Sequence, residues 1–130
     1  MRCNVHLASW LKDGRLRSKF DHLDDVNLDD VLSQVKIKVR VDYPLNNPAV
    51  FELAGPVTVK AFISFVAQTY QRIYREEQET STVEAGLVPG MLNRNHTDGR
   101  YGIWGHVLGD LYLEGANLGD DGVWDLRLGS

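Results

Sequence analysis

A chain of 130 residues has room for one domain and hardly two. Its 43% hydrophobic and 25% charged residues exclude a disordered, collagen-like or disulfide-dense chain. A net charge of −4 argues against a protein that coats nucleic acid, and the one cysteine, Cys3, excludes an internal disulfide or a zinc site with two thiolates from one chain.

No run approaches the roughly 20 apolar residues that span a bilayer. The apolar residues after Met1-Arg2-Cys3 are cut short by Lys12-Asp13, too early for the core of a signal peptide. The chain therefore reads as intracellular and cytoplasmic, with no membrane association, and Asn95-His96-Thr97 reads as a chance match to a glycosylation acceptor. Charge is segregated. Residues 1–20 carry Arg2, Lys12, Arg15, Arg17 and Lys19 against Asp13, whereas residues 21–30 carry five aspartates and no base. Solvated faces and helix caps account for both blocks, with docking on each other or on a partner as the sharper reading. Residues 1–20 could form a flexible basic N-terminal segment.

In chain order, the first predicted element is a short helix over about 28–34. Asn27 would cap it and Asp29 and Asp30 would sit in its first turn, where the helix dipole favours negative charge. Next comes the clearest strand. Val35, Ile37, Val39 and Val41 fall on one face and Lys36, Lys38, Arg40 and Asp42 on the other, a period of two with β-branched residues inward. Leu45-Asn46-Asn47-Pro48 reads as a turn, and 49–53 as a second strand. The basic stripe Lys36, Lys38 and Arg40 lacks interleaved aromatics, so it suits protection of an exposed strand better than a nucleic-acid platform.

The main helix is predicted from Thr58 to about Glu77. Val59, Phe62, Ile63, Val66, Tyr70, Ile73 and Tyr74 recur at helical spacing, and Thr58 can cap the start. Burying five or six large side chains at roughly 1.5–3 kcal/mol each makes this helix the chief core element. Its aromatic stripe reads as core, not as a cofactor box. Glu76 to Thr80 end it in polar residues, and Ser81-Thr82-Val83-Glu84 has capping-box spacing. Residues 86–103 follow as a long irregular stretch rich in turn residues. The C-terminus reads as a hairpin, with 111–114 and 123–128 flanking Gly119-Asp120-Asp121-Gly122. The result is one α+β domain over 1–130, a small antiparallel sheet packed on one amphipathic helix and completed by the C-terminal hairpin.

Chemistry concentrates in 92–106. Arg94, His96, Asp98, Arg100, Tyr101, Trp104 and His106 lie there with three glycines, which permit tight turns or close approach to a ligand. These seven are the candidate binding residues of a non-enzymatic interaction or structural module presenting the 93–106 loop, with Tyr101 and Trp104 as anchors for a protein partner. The alternative is a small metal-dependent hydrolase using His96, Asp98 and His106, with Asp110 as a further carboxylate; imidazole and carboxylate suit zinc or iron, but the spacing matches no ligand motif. A third reading is anion binding by Arg94 and Arg100, whose planar forks match phosphate or carboxylate. No cofactor is expected. Cys3 has no motif around it and Asp120-Asp121 reads as a solvated turn. An exposed sheet edge could support a homodimer.

Asn93-Arg94-Asn95, Asp98 to His106, Asp110 to Gly115 and Leu128-Gly129-Ser130 together resemble a group of short uncharacterised proteins of large DNA viruses and some eukaryotes. The resemblance covers roughly residues 57–130 and implies no activity, cofactor or catalytic residue. A viral origin would make the virion a second expected location.

Overall fold

The computed structural model describes residues 1–13, 27–82 and 96–130. The described residues form strands β1 (Arg2–His6), β2 (Val31–Ser33), β3 (Ile37–Val41), β4 (Ala49–Leu53), β5 (Val57–Thr58), β6 (Tyr112–Leu118) and β7 (Val123–Gly129). Helix α1 spans Leu7–Asp13, α2 spans Val59–Thr80, and a single 3-10 turn covers Leu108–Asp110. Five strands make the main sheet in the order β1-β6-β7-β3-β4, and β2 pairs with β5 in a separate two-stranded ribbon. The α+β class is as predicted. The main sheet is mixed, however: β3 runs antiparallel to β4 but parallel to β7, through Lys38↔Val123, Val39↔Trp124 and Arg40↔Asp125.

The alternation in β3 decides which face is covered. Ile37, Val39 and Val41 are buried, and the register puts Trp124 beside Val39 on the same face. There the Trp124 ring meets Phe62 of α2 at 5.6 Å between centroids. The stripe of α2 lies on this face, with Val59, Phe62, Ile63, Val66, Tyr70 and Ile73 all buried. The Thr58 hydroxyl caps the helix by accepting from the Ala61 amide at 3.1 Å. On the opposite sheet face Arg40 bridges Asp121 (2.6 Å) and Asp125 (2.8 Å), and Lys36 pairs with Glu52 (3.5 Å). Carboxylates thus flank the basic stripe of this open face. No helix among the described residues is long and apolar enough to cross a membrane.

Three local expectations differ from the structure. The predicted 28–34 helix is a turn followed by β2. Asn27 does accept from the Asp29 amide at 3.0 Å, as a cap would, but the same bond closes a turn. The carbonyls of Leu28 and Asp30 accept from Lys60 (3.0 Å) and Val59 (2.9 Å), so the segment satisfies the free amides at the start of α2 instead of forming a helix itself. Val35, expected on the buried face, is 69% exposed. The Ser33 hydroxyl bonds both its carbonyl and its amide, holding it in a bend ahead of β3.

The third difference is the N-terminus. Of residues 1–20, assigned from sequence to a basic segment that could be flexible, Arg2–His6 form β1 and Leu7–Asp13 form α1, while 14–20 lie outside the described residues. Val5, Leu7 and Trp10 belong to the core, and β1 pairs antiparallel with β6. Cys3 is half-buried, its thiol donating to the Leu113 carbonyl at 3.3 Å. The hairpin is as predicted, with β6 reaching Leu118 and the turn closed by Gly119 donating to the Val123 carbonyl at 2.9 Å.

Candidate functional site

Glu77 occupies the last turns of α2. It continues the series Val66, Tyr70, Ile73 at helical spacing, so its side chain points where the core stripe points. It is 1% exposed. A carboxylate in such a place is costly unless hydrogen-bonded on both oxygens. Here the backbone of 99–102 supplies the donors. The Tyr101 amide donates to Oε1 at 2.7 Å, and the amides of Gly99 (2.8 Å) and Gly102 (3.2 Å) donate to Oε2. Burial pushes the carboxyl pKa up, but the Thr97 hydroxyl and the three amides outweigh it and hold the group below its ordinary value.

A second carboxylate works in the opposite direction, from the loop to the helix end. Asp98 accepts from the Ser81 hydroxyl (2.8 Å) and the Thr82 amide (2.7 Å) on Oδ1, and from the Thr82 hydroxyl (2.5 Å) on Oδ2. The Asp98 amide in turn donates to the Ser81 hydroxyl oxygen at 3.1 Å. The hydroxyls of Thr82 and Ser81, with the Thr82 amide, pull the Asp98 carboxyl down to about 2. Between the two clamps the Arg100 amide donates to the Thr80 hydroxyl oxygen at 3.0 Å. Glu76 gathers the Tyr101 hydroxyl (2.6 Å), Arg72 (2.7 Å) and Arg100 (3.3 Å), and the Tyr101 hydroxyl leads the groups that lower its pKa.

The far side of the loop is tied as well. Asn46 and Asn47 donate to the carbonyls of Gly102 (2.8 Å) and Tyr101 (3.0 Å), and Trp104 donates to Pro44 at 3.0 Å. Two glycines make this geometry accessible. Gly102 has φ of 64°, in the region side chains avoid. Gly99 lies so close to α2 that a Cβ there would meet the Thr80 hydroxyl oxygen at 2.6 Å and the Glu77 carboxyl carbon at 2.7 Å. Both contacted groups are pinned by the bonds above, so neither yields freely. Gly99→Ala is expected to lower stability by about 2 kcal/mol, read as a drop in the urea midpoint with an unchanged slope.

The candidate residues divide by location. Arg94 lies outside the described residues. His96, Asp98 and Arg100 are exposed. Tyr101, expected as a surface anchor, is 3% exposed, with its hydroxyl on Glu76. Its ring fills the interior because the amide bonds to Glu77 turn the backbone inward at that position. Trp104 and His106 are half-buried, each packed on Tyr43, at 5.1 Å and 5.6 Å between ring centroids. The His106 Nε2 is hydrogen-bonded to the Tyr43 hydroxyl at 2.7 Å, while its Nδ1 lies 3.7 Å from the Asp110 carboxylate with no hydrogen-bond partner. Among the described residues no group of three or more His, Cys, Asp or Glu side chains could hold a metal ion. His96, Asp98 and His106 therefore do not make the ligand set of the hydrolase alternative. The reason is that Asp98 is engaged at the end of α2 while His106 packs on Tyr43.

Sequence reasoning missed Glu76, Glu77 and Tyr43. For Glu77 the signal was present, in its phase with Tyr70 and Ile73; for Tyr43 there was none, since its partner His106 lies 63 residues away. A cleft of about 780 Å³ runs beside this junction, lined among the described residues by Gln71, Arg75, Gln78, Ser81, Thr97 and Leu108. Comparison with known protein families, with curated proteins and with solved structures finds no match for this chain.

Proposed function

We propose that this chain is a non-enzymatic protein-interaction module that presents the 93–106 loop to a protein partner. The observation that carries the reading is the buried Glu77 carboxylate with its three backbone amides. A loop of glycines and polar residues loses much conformational entropy when a partner orders it. Fixing 97–102 on the end of α2 beforehand removes part of that cost from binding. An internal carboxylate with its surrounding backbone is more than a simple connection between α2 and β6 needs.

The held loop turns Arg100 outward. Its side chain stays 63% exposed while the guanidinium lies 5.5 Å from the centre of the Tyr101 ring and 3.3 Å from Glu76. An arginine steadied in this way keeps donors free for a partner's carboxylate or backbone carbonyls. His96 stands exposed nearby, bridged through the backbone to the half-buried Trp104. Arginine and tryptophan are the side chains that most often dominate protein interfaces.

The test places a photo-crosslinking amino acid at position 100, with position 38 on the open sheet face as control, in cells expressing the chain. The expected result is a discrete protein adduct at 100, absent at 38. Against the captured partner, Arg100→Ala is expected to weaken binding by about tenfold, close to 1.4 kcal/mol. No adduct at 100, or the same adducts at both positions, contradicts the proposal.

A further inference from the structure

We infer that Ser81 is a phosphorylation site for an acid-directed protein kinase, and that a phosphate there releases the 96–102 loop from the end of α2. The inference deepens the interaction reading by naming what regulates the loop. It rests on that reading for its consequence and on the Ser81–Asp98 contact for its chemistry.

Ser81 is the residue that closes α2, its backbone amide donating to the Glu77 carbonyl at 2.8 Å. It is half exposed, and Thr82 beside it is exposed. The hydroxyl of Ser81 is engaged with Asp98 in both senses. It donates to the carboxylate at 2.8 Å and accepts from the Asp98 amide at 3.1 Å. The surrounding sequence is acidic, with Glu76, Glu77 and Glu79 before Ser81 and Glu84 three residues after it. Kinases that select acidic surroundings recognise their substrates by this pattern of charge. Of the Ser81-Thr82-Val83-Glu84 spacing that reads as a helix start, Val83 and Glu84 lie outside the described residues.

The chemistry is a simple phosphoryl transfer. The Ser81 oxygen attacks the γ-phosphorus of a nucleoside triphosphate bound by the kinase. The bond from that phosphorus to the β,γ-bridging oxygen breaks and nucleoside diphosphate leaves. The hydroxyl proton passes to the kinase's catalytic carboxylate. The product loses the O–H donor that Asp98 uses and gains close to two negative charges at the same place. Those charges face the Asp98 carboxylate and sit at the C-terminus of a 22-residue helix, where the helix dipole also disfavours them. Repulsion then separates Asp98 from the helix end, and the Thr82 amide loses its acceptor. Arg75 lines the same cleft as Ser81 and is a cation that could hold the phosphate instead. That outcome has the opposite sign and is part of the test.

The experiment treats the full chain with an acid-directed serine/threonine kinase and ATP–Mg²⁺, maps the phosphate by mass spectrometry and follows amide hydrogen exchange. The expected result is phosphate on Ser81, none at that position in Ser81→Ala, and exchange at Thr82 and Gly99 faster by about tenfold. Asp98→Asn is expected to exchange faster before any phosphate is added and to change little afterwards. Phosphate on Thr80 or Thr82 but not Ser81, or no phosphate, overturns the inference. So does a Ser81-phosphorylated chain whose exchange at Thr82 is unchanged or slower. Loss of the crosslinked adduct at position 100 is read separately, so failure of the partner reading leaves the exchange result intact.

Discussion

Replacing Glu77 with alanine is expected to lower the unfolding free energy by about 3–5 kcal/mol, the range reached when buried polar groups lose their partners. Three amides, those of Gly99, Tyr101 and Gly102, lose their acceptor at once, in a place where the carboxylate is 1% exposed. Glu77→Gln is expected to cost less, about 2 kcal/mol, because one oxygen still accepts while the new NH₂ faces donors. The pH dependence follows from the same bonds. The carboxyl titrates below its ordinary 4.5 in the folded chain, so its contribution is fully present above pH 4.5 and is lost as pH falls through the folded value. Asp98 adds a second loss, from its ordinary 3.8 down to about 2. Urea unfolding at pH 7 and at pH 3 is expected to show a fall in the native chain that is smaller in Glu77→Gln. An alanine variant as stable as the native chain contradicts the assignment.

Trp10→Ala is expected to cost a further large amount, about 3–5 kcal/mol, as for other buried tryptophans cut back to a methyl group. Trp10 is 1% exposed, the largest of the fully buried side chains, and its indole N–H donates to the Ser64 hydroxyl at 3.0 Å. It joins α1 to the second turn of α2, so its removal loosens the packing of two helices and leaves the Ser64 hydroxyl without that donor. Trp10→Phe keeps most of the apolar volume and is expected to recover more than half of the loss. Thermal unfolding read by far-UV circular dichroism distinguishes the two. An alanine variant with an unchanged midpoint would mean that the first 13 residues are dispensable to the core.

Local periodicity made part of this architecture readable. The alternation from Ile37 to Val41 gave β3 its inner and outer faces, and the Val59–Tyr74 stripe with its Thr58 cap gave α2. Both signals lie within one element and report one buried face. The parallel neighbour of β3 was hidden, because Val39 and Trp124 meet across 85 residues and no local pattern encodes that pairing. Asn27 shows how a correct bond can support the wrong element. Its side chain accepts from Asp29 as foreseen, yet the chain goes on into a strand because β5 and the start of α2 take up its backbone groups.

The loop illustrates a different limit. Its glycines, arginines and aromatics marked residues 92–106 as unusual, and the structure does place His96, Asp98 and Arg100 on the surface. Tyr101 runs the other way, into the interior, drawn by bonds to two glutamates of α2. Acidic side chains are rarely buried, so Glu77 reads as the polar end of a helix until its phase with Tyr70 and Ile73 is considered. The donors that make its burial tolerable are backbone amides, which carry no side-chain signature in the sequence.

The link between the Glu77 carboxylate and the loop can be followed directly by NMR, recording the Glu77 side-chain carboxyl carbon together with the amide protons of Gly99 and Tyr101 from pH 7 to pH 2. A charged acceptor at 2.7–2.8 Å predicts strongly downfield amide protons that move in step with the carboxyl carbon, with a midpoint below 4.5. Amide protons at unstructured positions, or a Glu77 midpoint at or above 4.5, would contradict the account.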